Sequence, residues 1–220
     1  MGLLATDGVV MAGEKQKATK LLESPKSSEK IYKIDDHMAT VVAGLTADAN
    51  ILINAARVAA QRYRYQYGEP VPVEQLVETV CNQKQLYTQY GGQRPFGVKF
   101  LFAGYDAHVG YQLYMSDPSG NYSGWKATCM GQNANSGQSL LKNEYDPSMD
   151  SEQCVKLALR VLNKTMESLS AENIDLFSLK RKDDGTMVHT VYPNDMVTKL
   201  LDEVKAEAEA ADAEKEKLAK

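Results

Sequence analysis

Strand patterns in this chain come as hairpins and helical patterns come in pairs set between them, and this grouping restricts the fold more than any other property. Leu3 to Thr6 and Val9 to Ala12 are apolar runs flanking Asp7-Gly8, a dipeptide suited to the two-residue turns of antiparallel strands. Ile31 to Ile34 and Met38 to Ala43 repeat the arrangement around Asp35-Asp36, and Ile174 to Lys180 and Met187 to Tyr192 repeat it around Asp183-Asp-Gly185. Val98 to Tyr105, Gly110 to Ser116 and Tyr122 to Met130 read as a three-stranded meander. Helical spacing runs from a cap at Thr46 to Gly68, and again along Val73, Leu76, Val77, Val80 and Tyr87 to a stop at Gly91. A third helix opens within Gly131 to Gly137 and reaches Tyr145. A fourth, capped by Asp150 or Ser151, carries Val155, Ala158, Leu159, Leu162 and Met166, and Asn194 caps the last. Hairpins require antiparallel sheets, so the helix pairs must cover sheet faces instead of crossing between parallel neighbours. The expectation is an α+β fold: a four-layer αββα sandwich of two antiparallel sheets covered by helix pairs.

With 220 residues, 43% of them hydrophobic, the chain can bury one large core. Residues 1–204 are expected to form a single domain. Past Val204 the composition is dominated by Ala, Glu and Lys, so 205–220 reads as a charged helical extension. A net charge of -4 gives no basic footprint for nucleic acid. Three widely spaced cysteines, Cys81, Cys129 and Cys154, read as reduced core residues of a cytosolic or nuclear protein. No apolar run has membrane-spanning length. Met1 to Thr6 fits the loose N-myristoylation pattern, but the same residues read better as a strand entering a turn. The triplets at Asn121 and Asn163 matter only to a secreted protein.

Little in the chain points to chemistry of its own. His37, His108 and His189 are far apart and no ligand spacing occurs, so no metal is expected. The glycines of Gly131 to Gly137 are not followed by Gly-Lys-[Ser/Thr], so no nucleotide cofactor is expected either. No Gly-x-Ser-x-Gly elbow is present.

From Gln89 to Val98 the chain reads Gln-Tyr-Gly-Gly-Gln-Arg-Pro-Phe-Gly-Val, ending a helix and starting a strand. This string resembles the signature loop of proteasome alpha subunits. Ser28 to Lys33, Val42 to Asn50, Ala60 to Tyr63, Ser116 to Thr128 and Val161 to Met166 resemble motifs of the same family, in the same order. The resemblance covers nearly the whole chain. It implies the N-terminal-nucleophile hydrolase-like sandwich, in a non-catalytic subunit of the outer heteroheptameric alpha ring of the 20S core. Such a subunit supports ring assembly, substrate gating and ubiquitin-dependent protein breakdown in cytoplasm and nucleus. Its implied partners are other alpha subunits, beta-ring subunits and the C-terminal tails of activators, without nucleic acid or membrane.

The resemblance implies three residues for the tail pocket: Lys30 to pair the tail's carboxylate, and the backbone of Gly44 and Leu45 to line it. Taken by itself, Lys30 could equally pair with a surface acid such as Glu29. Asp48 and Arg94 are placed to form a forked carboxylate–guanidinium pair that holds the loop carrying Pro95 and Gly97 to the first helix. Compared with beta subunits, Lys30 stands at the catalytic Lys position and Glu14 at that of its Asp, whereas the nucleophilic Thr would precede Met1; no catalytic residue is therefore assigned. The family's gating tail, Ser-Pro-x-Gly-Arg turn, first short helix and half of the opening strand are missing, which reads as an incomplete gene model or a shortened form. A threonine hydrolase with a mis-assigned N-terminus is the alternative, and a lipid-anchored module resting on Gly2 is a third.

Overall fold

A computed structural model describes residues 1–15, 30–166 and 169–218, with side chains through residue 207. The hairpin signals hold. Strands β1 (Gly2–Ala5) and β2 (Gly8–Glu14) pair antiparallel, Leu3 opposite Val10 and Ala5 opposite Gly8. Strands β3 (Ile31–Asp35) and β4 (Met38–Gly44) form the second hairpin. Helices α1 (Thr46–Tyr67) and α2 (Val73–Gln89) follow, then β5 (Val98–Asp106), β6 (Gly110–Ser116), β7 (Tyr122–Gly124) and β8 (Ala127–Thr128). Helices α3 (Ala134–Glu144) and α4 (Ser151–Thr165), strands β9 (Ile174–Arg181) and β10 (Met187–Val191), and helix α5 (Asn194–Leu218) complete the order.

One sheet runs β10-β9-β2-β1-β8 and the other β3-β4-β5-β6-β7, each five-stranded with antiparallel neighbours. Side-chain alternation then builds the layers. Val9 and Met11 of β2, Ala39 and Val41 of β4, Leu101 and Ala103 of β5, and Phe177 and Leu179 of β9 meet between the sheets. Their in-between neighbours point outward. Val98, Phe100 and Phe102 pack with Leu52, Leu76 and Val80 of α1 and α2, while Val10, Ala12 and Leu176 pack with Leu159 and Val197 of α4 and α5. Each fully buried Phe or Leu in these layers contributes roughly 1.5–3 kcal/mol relative to exposure. The layers are αββα, as the grouping of hairpins and helix pairs predicts.

Local chemistry sets several boundaries. Gly68 closes α1 in the left-handed conformation, its N–H donating to the Arg64 carbonyl. Asp150 and Gln153 form a reciprocal capping box on α4. Ser151, the other cap candidate, is instead the first helical residue; its N–H and Oγ both donate to the Asp7 carboxylate, at 2.7 Å each. Thr46 likewise begins α1 without capping it, and α2 ends at Gln89, two residues before the expected stop.

The meander requires a correction. The run from Tyr122 to Met130 is two short strands in different sheets: β7 pairs with β6, and β8 pairs with β1. Trp125 and Lys126 make the crossing, the Trp125 N–H donating to the Leu113 carbonyl of one sheet and the Lys126 carbonyl accepting from Leu4 N–H of the other.

Candidate functional site

At one end of the sandwich Met1 and Ala12 exchange backbone hydrogen bonds as an antiparallel pair. A cleft of about 530 Å³ opens beyond it, between the end of β2, the end of β4, the loop Cys129 to Ala134 and the last turn of α4. Lys30 and Gly44 line it, as does Glu14. Gly13 leaves room for the Lys30 stem, since a Cβ there would sit 3.2 Å from Lys30 Cβ. The Lys30 carbonyl accepts from Val42 N–H, fixing its backbone to β4. Among the described residues no carboxylate lies within ion-pair distance of the Lys30 ammonium. Glu29, the surface partner weighed for it, falls outside the described residues. The other lysine of the cleft, Lys15, pairs with buried Asp175 at 3.2 Å.

Leu45 lies beside the cleft and does not line it. Its N–H donates to the Gly97 carbonyl at 2.9 Å, and its half-exposed side chain covers the Gly97 Cα. Gly44 is left-handed, with φ of 122°, and a side chain there would collide with the Gly97 carbonyl. The wall of the cleft therefore depends on the loop from Arg94 to Gly97.

That loop is held by Asp48 in the first turn of α1. Arg94 donates from Nη1 to Asp48 Oδ2 at 2.6 Å and from Nη2 to Oδ1 at 2.9 Å, and Gly97 N–H adds a third bond to Oδ2 at 2.8 Å. The Arg94 and Gly97 hydrogen bonds bring the Asp48 carboxyl down to about 2. Pro95 supplies its carbonyl to Arg94 Nη1, and the next residue, Phe96, is buried against Tyr87 with ring centroids 4.6 Å apart. The seven residues singled out from sequence thus fall into two joined groups, with Gly44 common to the cleft and to the fork-held loop.

Sequence reasoning passed over Lys84. It is completely buried and donates from Nζ to the Val98 carbonyl, Ser116 Oγ and the Asp117 carbonyl at 3.0, 2.9 and 3.2 Å. Burial lowers its amine to about 8. The signal was its place four residues after Val80 on the apolar stripe of α2, where a polar residue is out of pattern. The three cysteines are buried free thiols, and burial pushes Cys154 up to about 11. Among the described residues no group of three potential ligands could hold a metal ion, and no helix is long and apolar enough to cross a membrane.

A family model described as "Proteasome subunit" matches residues 1–179. The chain is 55% identical over 203 residues to proteasome subunit alpha type-4-A of Arabidopsis thaliana, covering 91% of this chain and 81% of that protein. It is 54% identical over 205 residues to proteasome subunit alpha type-4 of Spinacia oleracea, with 92% and 82% covered. Against proteasome subunit alpha type-4-1 of Oryza sativa subsp. indica it is 60% identical over 178 residues, with 80% and 71% covered.

Proposed function

The chain belongs to the proteasome subunit family, in its non-catalytic alpha class, and on that premise we propose that it is a structural and gating subunit of the outer alpha ring. In this role it takes a place in a heteroheptameric ring, stacks on the beta ring and receives activator tails, serving ubiquitin-dependent protein breakdown in cytoplasm and nucleus. Membership of a non-catalytic class closes the hydrolase alternative.

The observation that carries the docking part is the cleft itself. An ammonium without an acidic partner among the described residues shares one concave wall with the backbone of Gly44. A tail entering there brings its terminal carboxylate to Lys30, the lysine of the cleft that lacks an acidic partner among the described residues, since Lys15 is paired with Asp175, and a peptide carboxylate can pair with that free ammonium. The ring part has separate support from α1. Ile51, Val58 and Tyr65 recur every seven residues, hence on one helix face, and all are exposed, Tyr65 to 94%. Such an apolar row is suited to a neighbouring subunit.

Native mass spectrometry of particles purified through this chain tests the assignment. Co-purification with other alpha and beta subunit types is the expected result, and recovery of a lone monomer from cells that contain assembled particles refutes it.

A further inference from the structure

Beside Gly44, sharing Ala43, Gly44 and Gly131 with the cleft but not Lys30, lies an open recess of about 360 Å³ whose lips are Gly97–Val98 and Pro118. The Lys84 ammonium, buried and not itself part of the lining, ties the backbone of both lips. It bonds the carbonyl of Val98, which pairs with Gly44 in the β4–β5 ladder, and the carbonyl of Asp117, immediately before Pro118. Its third bond, to Ser116 Oγ, anchors the end of β6. All three N–H bonds of an ammonium are thereby used, and every acceptor is neutral. The Phe100 ring lies 4.7 Å from Nζ, and among the described residues no ion pair reaches Lys84. The Asp117 carboxylate is turned instead to Ser119, accepting from its N–H and Oγ.

A buried cation hydrogen-bonded only to neutral oxygens is a poor way to gain stability, because the nearby Asp117 carboxylate, outside ion-pair distance, offsets only part of its desolvation. What it gains is position. Methionine of similar length would fill the same volume on α2 without bonding either lip. The turn after Asp117 also packs directly on α2: Gly120 is left-handed, and a Cβ there would clash with Cys81 and Gln85. Lys84 and this turn thus set the distance between α2, the start of β5 and the end of β6.

We propose that Lys84 is a positioning residue of the docking wall: its three hydrogen bonds fix the spacing of the lips at Val98 and Pro118, and so the presentation of Gly44 to an incoming tail. The consequence for tails rests on the docking function proposed above; the pinning of the lips does not.

Hydrogen exchange on the full chain tests the pin. Lys84→Met should raise exchange in segments 94–100 and 116–121 by roughly tenfold or more, the factor for losing one charge-assisted hydrogen bond, while β10 at the far sheet edge stays unchanged. Lys84→Ala should loosen the same segments, and propylammonium should restore their protection where propanol does not. Wild-type exchange at the lips in Lys84→Met, an equal rise in β10, or rescue by propanol as effective as by propylammonium would each overturn the proposal, since packing would then suffice. If neither variant folds, the wild-type ammonium decides: a Lys84 15N signal protected from water supports the pin, and one in rapid exchange removes it. In assembled particles, Lys84→Met should weaken binding of a peptide with a free C-terminal carboxylate severalfold. A Lys30→Ala particle that binds this peptide normally refutes the docking function and leaves the exchange result to judge the pin.

Discussion

Arg94 grips Asp48 across 46 residues of sequence with both ends of its guanidinium, and the same carboxylate takes the N–H of Gly97. The arginine is largely exposed and the aspartate is buried. Asp48 is consequently the fixed point, and Arg94 with its loop is what gets fastened. Because Gly97 in turn accepts from Leu45 N–H, the fork decides where the backbone at Gly44 and Leu45 lies.

Asp48→Ala should destabilise the chain by about 1.5–3 kcal/mol, the range for charged hydrogen bonds, and raise hydrogen exchange in segment 94–98. Arg94→Lys should show most of that local loosening, because a lysine cannot reproduce the fork. The pH dependence follows from a carboxyl lowered from 3.8 to about 2. Its contribution is complete above 3.8 and disappears as pH falls through 2, so protection of this loop should be flat between neutral pH and about pH 5 and fall only in strong acid. Loss of protection near pH 6 contradicts this.

Lys84 has the opposite sign. Its amine is lowered from 10.5 to about 8, so the unfolded chain holds this proton more tightly than the native one. The cost of the buried charge is present below pH 8 and is relieved as pH rises toward 10.5. Denaturant titrations should show wild-type stability rising relative to Lys84→Met over that window, by on the order of 3 kcal/mol. Parallel curves for the two proteins exclude this.

Lys30→Ala in assembled particles should lower affinity for a tail peptide with a free carboxylate by about tenfold or more, as expected for removal of a charge-assisted contact. The amidated peptide should bind equally weakly to both particles. Fluorescence anisotropy with the two peptides measures the difference, and equal affinity of the free acid for wild-type and variant particles rules out the lysine's role.

How far the sequence could be read depended on whether a feature is local. Asp7-Gly8 specifies its turn through its own backbone preferences, and the stripe from Val73 to Val80 specifies a buried face by spacing alone, so hairpins and helix pairs were visible. Asp48 and Arg94 could be paired because both lie in strings of the family pattern. Two features were not visible. The crossing at Trp125 and Lys126 leaves the apolar pattern unbroken, and only the position of β1 shows that Ala127 and Thr128 have changed sheets. The role of Lys84 was the other: its place on the apolar stripe of α2 marks it as out of pattern, but its partners are mostly main-chain carbonyls, whose directions no side chain announces.

Helix α5 should depend on its apolar contacts far more than on its ions. Leu201→Ala, at a buried contact with α4, should cost about 2–5 kcal/mol. Glu207→Gln, which removes exposed pairs to Lys156 and Arg160, should cost under about 1 kcal/mol and less at high salt. Thermal melts of both variants compare the two, and a larger loss for Glu207→Gln reverses the ranking.

A thiolate-selective reagent should leave the native chain unlabelled at neutral pH, because Cys81, Cys129 and Cys154 are buried and Cys154 is pushed up to about 11. Rapid labelling without denaturant, followed by mass spectrometry, refutes this.

The crossing at Trp125 and Lys126 has a mechanical consequence. Tyr122 is a rung opposite Ser116 in one sheet and Ala127 a rung opposite Leu3 in the other, so a few covalent bonds suture the two sheets together. Sliding one sheet over the other would stretch that suture before it disturbed the apolar layer between them, and a pull applied to either sheet is transmitted to its companion through the main chain.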